Sequence, residues 1–253
     1  MKLNKKEITN IKNDLILWIR HMMGKTNGTK AILGISGGKD SSIVAALCKK
    51  ALGNKNVIGV IMPDGIQEDI SFAFGICEEL NIKYIHIPIN SITSEFLQVI
   101  ENENGEIIKD ISENTKINLP ARVRMTLLYA ISQSIPNSRV INTGNLSEKW
   151  IGYTTVYGDN TGAFSPLGNL TSDEVIQLGR ILGLPEKYII KPAADGLTGQ
   201  TDEDVLGFSY ESLNKYIREG IIPEKSIKEK LDNMHEKSKF KFETMPTFPV
   251  DLP

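Results

Sequence analysis

The densest chemistry in this chain of 253 residues lies in Ser36-Gly37-Gly38-Lys39-Asp40-Ser41-Ser42. Seven consecutive positions supply three hydroxyls, two residues without a Cβ, one ammonium and one carboxylate. Gly37 and Gly38 permit close backbone approach, the serines donate hydrogen bonds, Lys39 brings positive charge and Asp40 can hold a divalent cation. The segment before it, Ala31-Ile32-Leu33-Gly34-Ile35, is continuously apolar and reads as a short buried strand. After it, Ile43, Val44, Leu47, Cys48, Ala51 and Leu52 repeat at helical spacing. Strand, glycine loop and helix start form an anion site, because the first-turn N–H groups and the positive end of the helix dipole face the loop. A phosphate group is the expected guest. It is not held as in a Walker A loop, since Leu33 stands where the first glycine belongs and Asp40 follows the lysine. The dinucleotide fingerprint G-x-G-x-x-G is absent here as well.

Two further segments carry charge that asks for a partner. In "INLPARVRM", residues 117 to 125, Pro120 fits a first helical turn, yet Arg122 and Arg124 follow where the dipole disfavours cations. Such arginines either receive an anion or simply keep the surface soluble. In "NTGNLSEKW", residues 142 to 150, Thr143 and Glu148 follow an expected strand, which puts them at the sheet edge that carries the glycine loop. Glu148 there could complete a magnesium site with Asp40; taken alone, it reads as an ordinary surface helix residue.

The elements that must position these groups alternate between two periods. Expected strands lie at Val57 to Ile61, Lys83 to Ile89 and from Arg139, and helices run through Ile70 to Leu80, Ser91 to Glu101 and Pro120 to Ser134. This alternation implies an α/β fold, a doubly wound and mostly parallel sheet with helices on both faces, and ligands at the carboxyl ends of the strands. Residues 102 to 110 read as a polar surface loop. Beyond Glu148 come glycine-rich loops, a helix from Ser172 to Leu182, another through Tyr210 to Arg218, and an amphipathic helix after Pro223. No repeat or linker divides the chain, so a single domain over 1–253 is expected, with an amino-terminal amphipathic helix over 4–23 and a helical tail over 209–253 packed on it.

Net charge is −2 with both signs interspersed, which advertises no nucleic-acid face. No apolar run approaches the length of a membrane span, and the start has no signal-peptide core. The two cysteines, Cys48 and Cys77, occupy apolar helix positions without zinc or redox spacing, so reduced buried thiols in a cytoplasmic protein are expected.

Ser36-Gly37-Gly38-Lys39-Asp40-Ser41 resembles the pyrophosphate loop of ATP pyrophosphatases, which split ATP between the α and β phosphates. With "MPDG", "PARVRM", "NTGNLSE", "GYTTVYGD", "PLGNLTSDEV" and "KPAADGLTGQTDEDVLGFSY", the chain resembles the NAD synthetase family in order and over nearly its whole length, in particular the ammonia-dependent form. The resemblance implies an adenine nucleotide α-hydrolase-like fold, a homodimer, and conversion of nicotinate adenine dinucleotide, ATP and ammonia to NAD, AMP and pyrophosphate. It implies ATP binding by Gly34, Ile35, Ser36, Gly37, Gly38, Lys39, Asp40, Ser41, Ser42 and Thr143, with Lys39 and Asp40 catalytic. It implies magnesium on Asp40 and Glu148, and contacts to the dinucleotide from Arg122, Asp195, Asp204 and Lys241. The family often has Lys and Asp where this chain has Val156 and Ala163, Lys at Ser172, Thr at Ala193, and His-Lys at Phe240-Lys241. The rival readings are another amide ligase of the ATP pyrophosphatase type and a nucleotide-binding regulator without turnover.

Overall fold

The computed structural model describes residues 3–102, 107–191 and 202–250. Among these residues, four parallel strands form one sheet in the order β3-β2-β1-β4. They are β1 (Lys30–Gly34), β2 (Val57–Ile61), β3 (Lys83–His86) and β4 (Ser138–Val140). α1 (Lys5–Lys25) precedes β1, and its start is fixed by a capping box in which Asn4 and Glu7 satisfy each other's backbone N–H groups.

α2 (Lys39–Leu52) follows β1 and leads into β2, and α3 (Ile70–Glu79) links β2 to β3. α4 (Asn90–Asn102) and α5 (Glu113–Ser134) then return the chain past β1, so that β4 pairs on the opposite side. The winding therefore reverses between β1 and β4. That is where an open α/β sheet leaves a crevice beyond the carboxyl ends of its strands.

The two faces of the sheet are covered unequally. α1, α2, α3 and α7 (Ser172–Leu182) bury a large apolar core that includes Ile19, Leu33, Ile43, Leu47, Ile76 and Leu178. On the other face, α5 packs on a smaller cluster of Ile32, Val60, Met62, Ile89 and Val123. α7 occupies the expected residues because Thr171 and Glu174 form a capping box and Gly183 ends the helix in the left-handed region, at φ +82.

α5 departs from expectation. It begins at Glu113, where the Ser112 hydroxyl accepts from Thr115 N at 3.2 Å, so Pro120 lies inside the helix and not in its first turn. Arg122 and Arg124 thus sit mid-helix, and the conflict with the dipole disappears.

The carboxyl-terminal part comprises α6 (Leu146–Ile151), α7, α8 (Asp202–Leu206), α9 (Tyr210–Glu219) and α10 (Lys225–Ser238). Ile151, Leu206, Phe208, Leu213 and Leu231 form its own apolar cluster. Residues 103–106, within the expected polar loop, lie outside the described residues, as does half of the "KPAADGLTGQTDEDVLGFSY" motif, residues 192–201. Among the described residues no helix is long and apolar enough to cross a membrane.

Candidate active site

The loop between β1 and α2 is tied together by its own side chains. Ser36 Oγ accepts from Gly38 N at 3.2 Å and lies 3.2 Å from Ser41 Oγ; the Ser42 hydroxyl donates to Gly38 O at 2.7 Å. Gly37 has a φ of +82, and a Cβ there would stand 2.8 Å from Ala73 N, so both conformation and space demand glycine. Gln67 Nε2, from the β2–α3 connection, donates to Ser36 O at 3.2 Å and braces the loop from outside. Gly38 is the N-cap of α2, which places Lys39, Asp40 and Ser41 in the first turn with the dipole's positive end.

Across the switch point, α6 brings up the second carboxylate. Asn145 caps α6 by accepting from Glu148 N at 3.1 Å, while Asn145 N donates to Glu148 Oε2 at 3.2 Å. The same Asn145 donates through Nδ2 to Asp40 Oδ1 at 3.0 Å, and Lys39 Nζ lies 3.0 Å from Asp40 Oδ2. The structure therefore brings together three of the residues singled out from sequence: Lys39, Asp40 and Glu148. Burial first, and the Asp40 charge second, push the Glu148 carboxyl up to about 8. Two carboxylates held this close call for a proton or a cation between them. Magnesium is bound by one or two protein carboxylates together with substrate phosphates, so this donor pair fits such an ion.

Beside α6 opens a cleft of about 360 Å³ lined by Asn142, Glu148, Asp159, Asn160, Phe164, Ser165, Lys241 and Phe242, among others. Its walls are joined by long-range hydrogen bonds. Asn142 Nδ2 donates to Asp159 O at 2.8 Å and Thr161 O at 3.0 Å; Asn142 Oδ1 accepts from Gly144 N at 3.0 Å and from the Ser165 hydroxyl at 2.8 Å. Asp159 accepts from Thr155 N at 2.7 Å and from the Thr154 hydroxyl at 2.8 Å. The Lys241 ammonium donates to the carbonyls of Gly152 and Thr154 at 2.7 and 2.8 Å, and burial lowers its pKa.

The remaining expected residues separate. Thr143 is half-buried in the Asn142–Gly144 turn beside the cleft. Arg122 is exposed on α5, and its Nε donates to Val156 O at 3.2 Å, so it braces the glycine-rich loop. Arg124 turns inward and donates to Met62 O at 3.0 Å; burial lowers its pKa, against the charges of Asp64 and Asp159. Asp204 is exposed on α8 and does not line the cleft. Asp195 and Ala193 lie outside the described residues. Sequence reasoning missed Asn142, Asp159 and Asn160. Asp159 and Asn160 had a signal, a carboxylate and an amide in a glycine-rich segment interleaved with aromatics, a pattern of ordered loops that carry binding groups; Asn142, directly after the strand, had none.

Cys48 and Cys77 are buried as expected, and burial pushes both thiols up to about 12.

Comparison with known proteins agrees with this fold. The profile of the NAD synthase family matches residues 11–246. An NH(3)-dependent NAD(+) synthetase from Thermococcus sibiricus is 39% identical over 204 residues, 80% of this chain and 77% of that one. Among solved structures, NMN synthetase from Francisella tularensis superposes with a TM-score of 0.87 at 29% identity, covering 96% of this chain and 99% of that one. The NH3-dependent NAD synthetase of Campylobacter jejuni superposes at 0.77 with 31% identity, covering 98% and 100%. With its glycine loop at a helix start, its paired carboxylates and a family match over nearly its whole length, the chain belongs to the NAD synthase family.

Proposed function

We propose that this protein is an ammonia-dependent ligase that converts nicotinate adenine dinucleotide to NAD at the expense of ATP, releasing AMP and pyrophosphate. The observation that carries this reading is the meeting of Asp40, in the first turn behind the glycine loop, with Glu148 at the edge of the cleft. A nicotinate carboxylate resists ammonia because its oxygen is a poor leaving group. Its oxygen attacks the α-phosphorus of ATP, the bond to the β-phosphate oxygen breaks, and pyrophosphate leaves. Ammonia then attacks the carbonyl carbon of the adenylate, gives up a proton and displaces AMP.

In this reading the residues from Gly34 to Ser42 and Thr143 hold ATP. Backbone N–H groups of the loop, the serine hydroxyls and Lys39 receive the departing pyrophosphate. Asp40 and Glu148 hold magnesium, which neutralises phosphate charge when bound. Lys241 and Arg122 serve the acceptor nucleotide, Lys241 by bracing the cleft wall and Arg122 by bracing the loop opposite. No protein nucleophile takes part, in keeping with two buried thiols.

The chain is further proposed to act as a cytoplasmic homodimer. Leu128 and Ile131 of α5 and Ile135 just after it are consumed against the sheet, but Phe96 and Val99 of α4 and Ile117 and Tyr129 of α5 stay exposed on the thinly covered face. A second copy would bury them. Light scattering at micromolar concentration should give twice the monomer mass.

One observation favours a shorter acceptor. The neighbour named an NMN synthetase superposes at 0.87, against 0.77 for the Campylobacter jejuni NAD synthetase. In addition, the glycine-rich loop from Gly152 to Gly168 contains no Lys or Arg that could meet the second phosphate of a dinucleotide. On this second reading the acceptor is nicotinate mononucleotide and the chemistry is unchanged. Turnover with ATP, magnesium and ammonium, offering each acceptor in turn, decides between them by kcat/KM. AMP formation with either supports the ligase reading, and ADP formation overturns it. Activity should rise with pH as ammonium loses its proton, and glutamine should not replace it.

A further inference from the structure

α6 has six residues, too few for its own hydrogen-bond ladder to fix its orientation, yet it carries Glu148. Ile151 packs its end into the apolar cluster, and Leu146 N donates to Leu170 O at 2.8 Å at its start. Between them, next to Glu148, it is held by a closed circuit of buried polar groups. The Ser147 hydroxyl donates to Asn214 Oδ1 at 2.6 Å, Asn214 Nδ2 donates to Ser172 Oγ at 3.0 Å, and Ser172 N donates back to Ser147 Oγ at 2.9 Å. Ser147 and Asn214 are completely buried and Ser172 is 3% exposed, so no solvent can stand in for a missing member. The circuit joins α6, α7 and α9.

A second tie links α7 and α9 without touching α6. The buried Glu174 carboxylate receives Arg218 through Nε at 2.8 Å and through a terminal nitrogen at 2.7 Å, and also accepts from Thr171 N at 2.9 Å. The anchoring of α9 on α7 is therefore separable from the grip on α6. Within α6, Ser147 is flanked by the cap, which reaches Asp40 through Asn145, and by Glu148 itself. A rotation of this short helix would move both carboxylate contacts at once.

We infer that Asn214 is a positioning residue for Glu148: through Ser147 it fixes the rotation of α6 and with it the carboxylate presented to the cation and the ATP phosphates. The inference rests on the reading of Glu148 given above. It also gives Ser172 a role: its side chain is turned inward, where its hydroxyl oxygen accepts from Asn214 and closes the circuit.

The test compares Asn214→Ala and Ser147→Ala with Arg218→Lys, which weakens the second tie and the bond from Arg218 to Asn169 O but leaves the circuit intact. Manganese binding is followed by electron paramagnetic resonance in the presence of a non-hydrolysable ATP analogue, alongside kcat, the KM for ATP and thermal melting. Asn214→Ala and Ser147→Ala should weaken manganese about 10-fold and lower kcat by about 10- to 100-fold, with the KM for ATP changed less than about twofold. Arg218→Lys should melt earlier with manganese affinity intact. If Asn214→Ala does not fold, Ser147→Ala carries the test alone. Wild-type manganese affinity in the folded circuit variants, or an equal loss in Arg218→Lys, overturns the inference. Glu148→Gln separates the two readings: if it too binds manganese normally, the role of Glu148 is wrong, and if it alone loses manganese, only the role of Asn214 is wrong.

Discussion

The loop after β1 and the cleft after β4 lie side by side at the switch point, yet they are built in opposite ways. The loop is local: Ser36, Gly38, Ser41 and Ser42 hold one another within seven residues, and α2 supplies the dipole. The cleft is assembled from a distance, since Asn142 must find Asp159 and Thr161, Asn160 must find Lys241 O at 2.9 Å, and Lys241 must find Gly152 and Thr154. A phosphate can be met by any strand–loop–helix with the right residues, so its site travels as one segment. An acceptor has to be met from several sides, so on the proposed reading its site depends on the whole carboxyl-terminal part.

The sharpest way to break this comparison is at the point where the two halves touch. Asp40→Asn should lower AMP formation by at least about 10²-fold while the protein still melts cooperatively. Near-normal magnesium-dependent turnover would remove Asp40 from the site.

Gly37→Ala comes next. Its Cβ would press on Ala73 N and the residue would keep a positive φ, at a cost of about 1–2 kcal/mol. The KM for ATP should rise about tenfold or more, with the acceptor KM little changed. Lys241→Ala should do the reverse, raising the acceptor KM several-fold because the Gly152 and Thr154 carbonyls lose their brace. Equal effects of both variants on both substrates would mean that the halves are not separable.

The smallest effect is one of stability. Glu148 has a value of about 8 in the folded protein against 4.5 for an ordinary glutamate, so the folded state binds more protons in that window and loses stability as pH rises through it. Above pH 8 the cost is complete. Glu148→Gln should therefore melt a few degrees higher than the parent at pH 9 and about equally at pH 4, while losing turnover. Magnesium with ATP should raise the melting point of the parent at pH 9 and do less for the variant. A variant less stable at pH 9 would show that the carboxylates are not strained together.

The same contrast explains what could be read from the sequence. The sheet, α2 and α7 were legible because apolar period, glycine turns and capping residues act within a few positions; Thr171, Glu174 and Gly183 bound α7 by themselves. The start of α5 was not, because Pro120 is a familiar first-turn residue and the true cap, Ser112, acts eight positions earlier. Lys39, Asp40 and Glu148 could be proposed from their places beside strand ends. The joining of Asn142 to Asp159 and Thr161 could not, since nothing in their spacing reveals that one amide spans two loops. Arg122 and Arg124 raised the question of an anion, and the structure shows their Nε atoms on the carbonyls of Val156 and Met62.

The central claim is that ATP activates the acceptor by adenylation of its carboxylate. It is tested most directly with nicotinate adenine dinucleotide, or the mononucleotide, carrying oxygen-18 in both carboxylate oxygens, turned over with ATP, magnesium and ammonium and followed by mass spectrometry. The account predicts one labelled oxygen in the phosphate of AMP and one retained in the amide product. Label in inorganic phosphate with ADP as the nucleotide product, or unlabelled AMP, would contradict it.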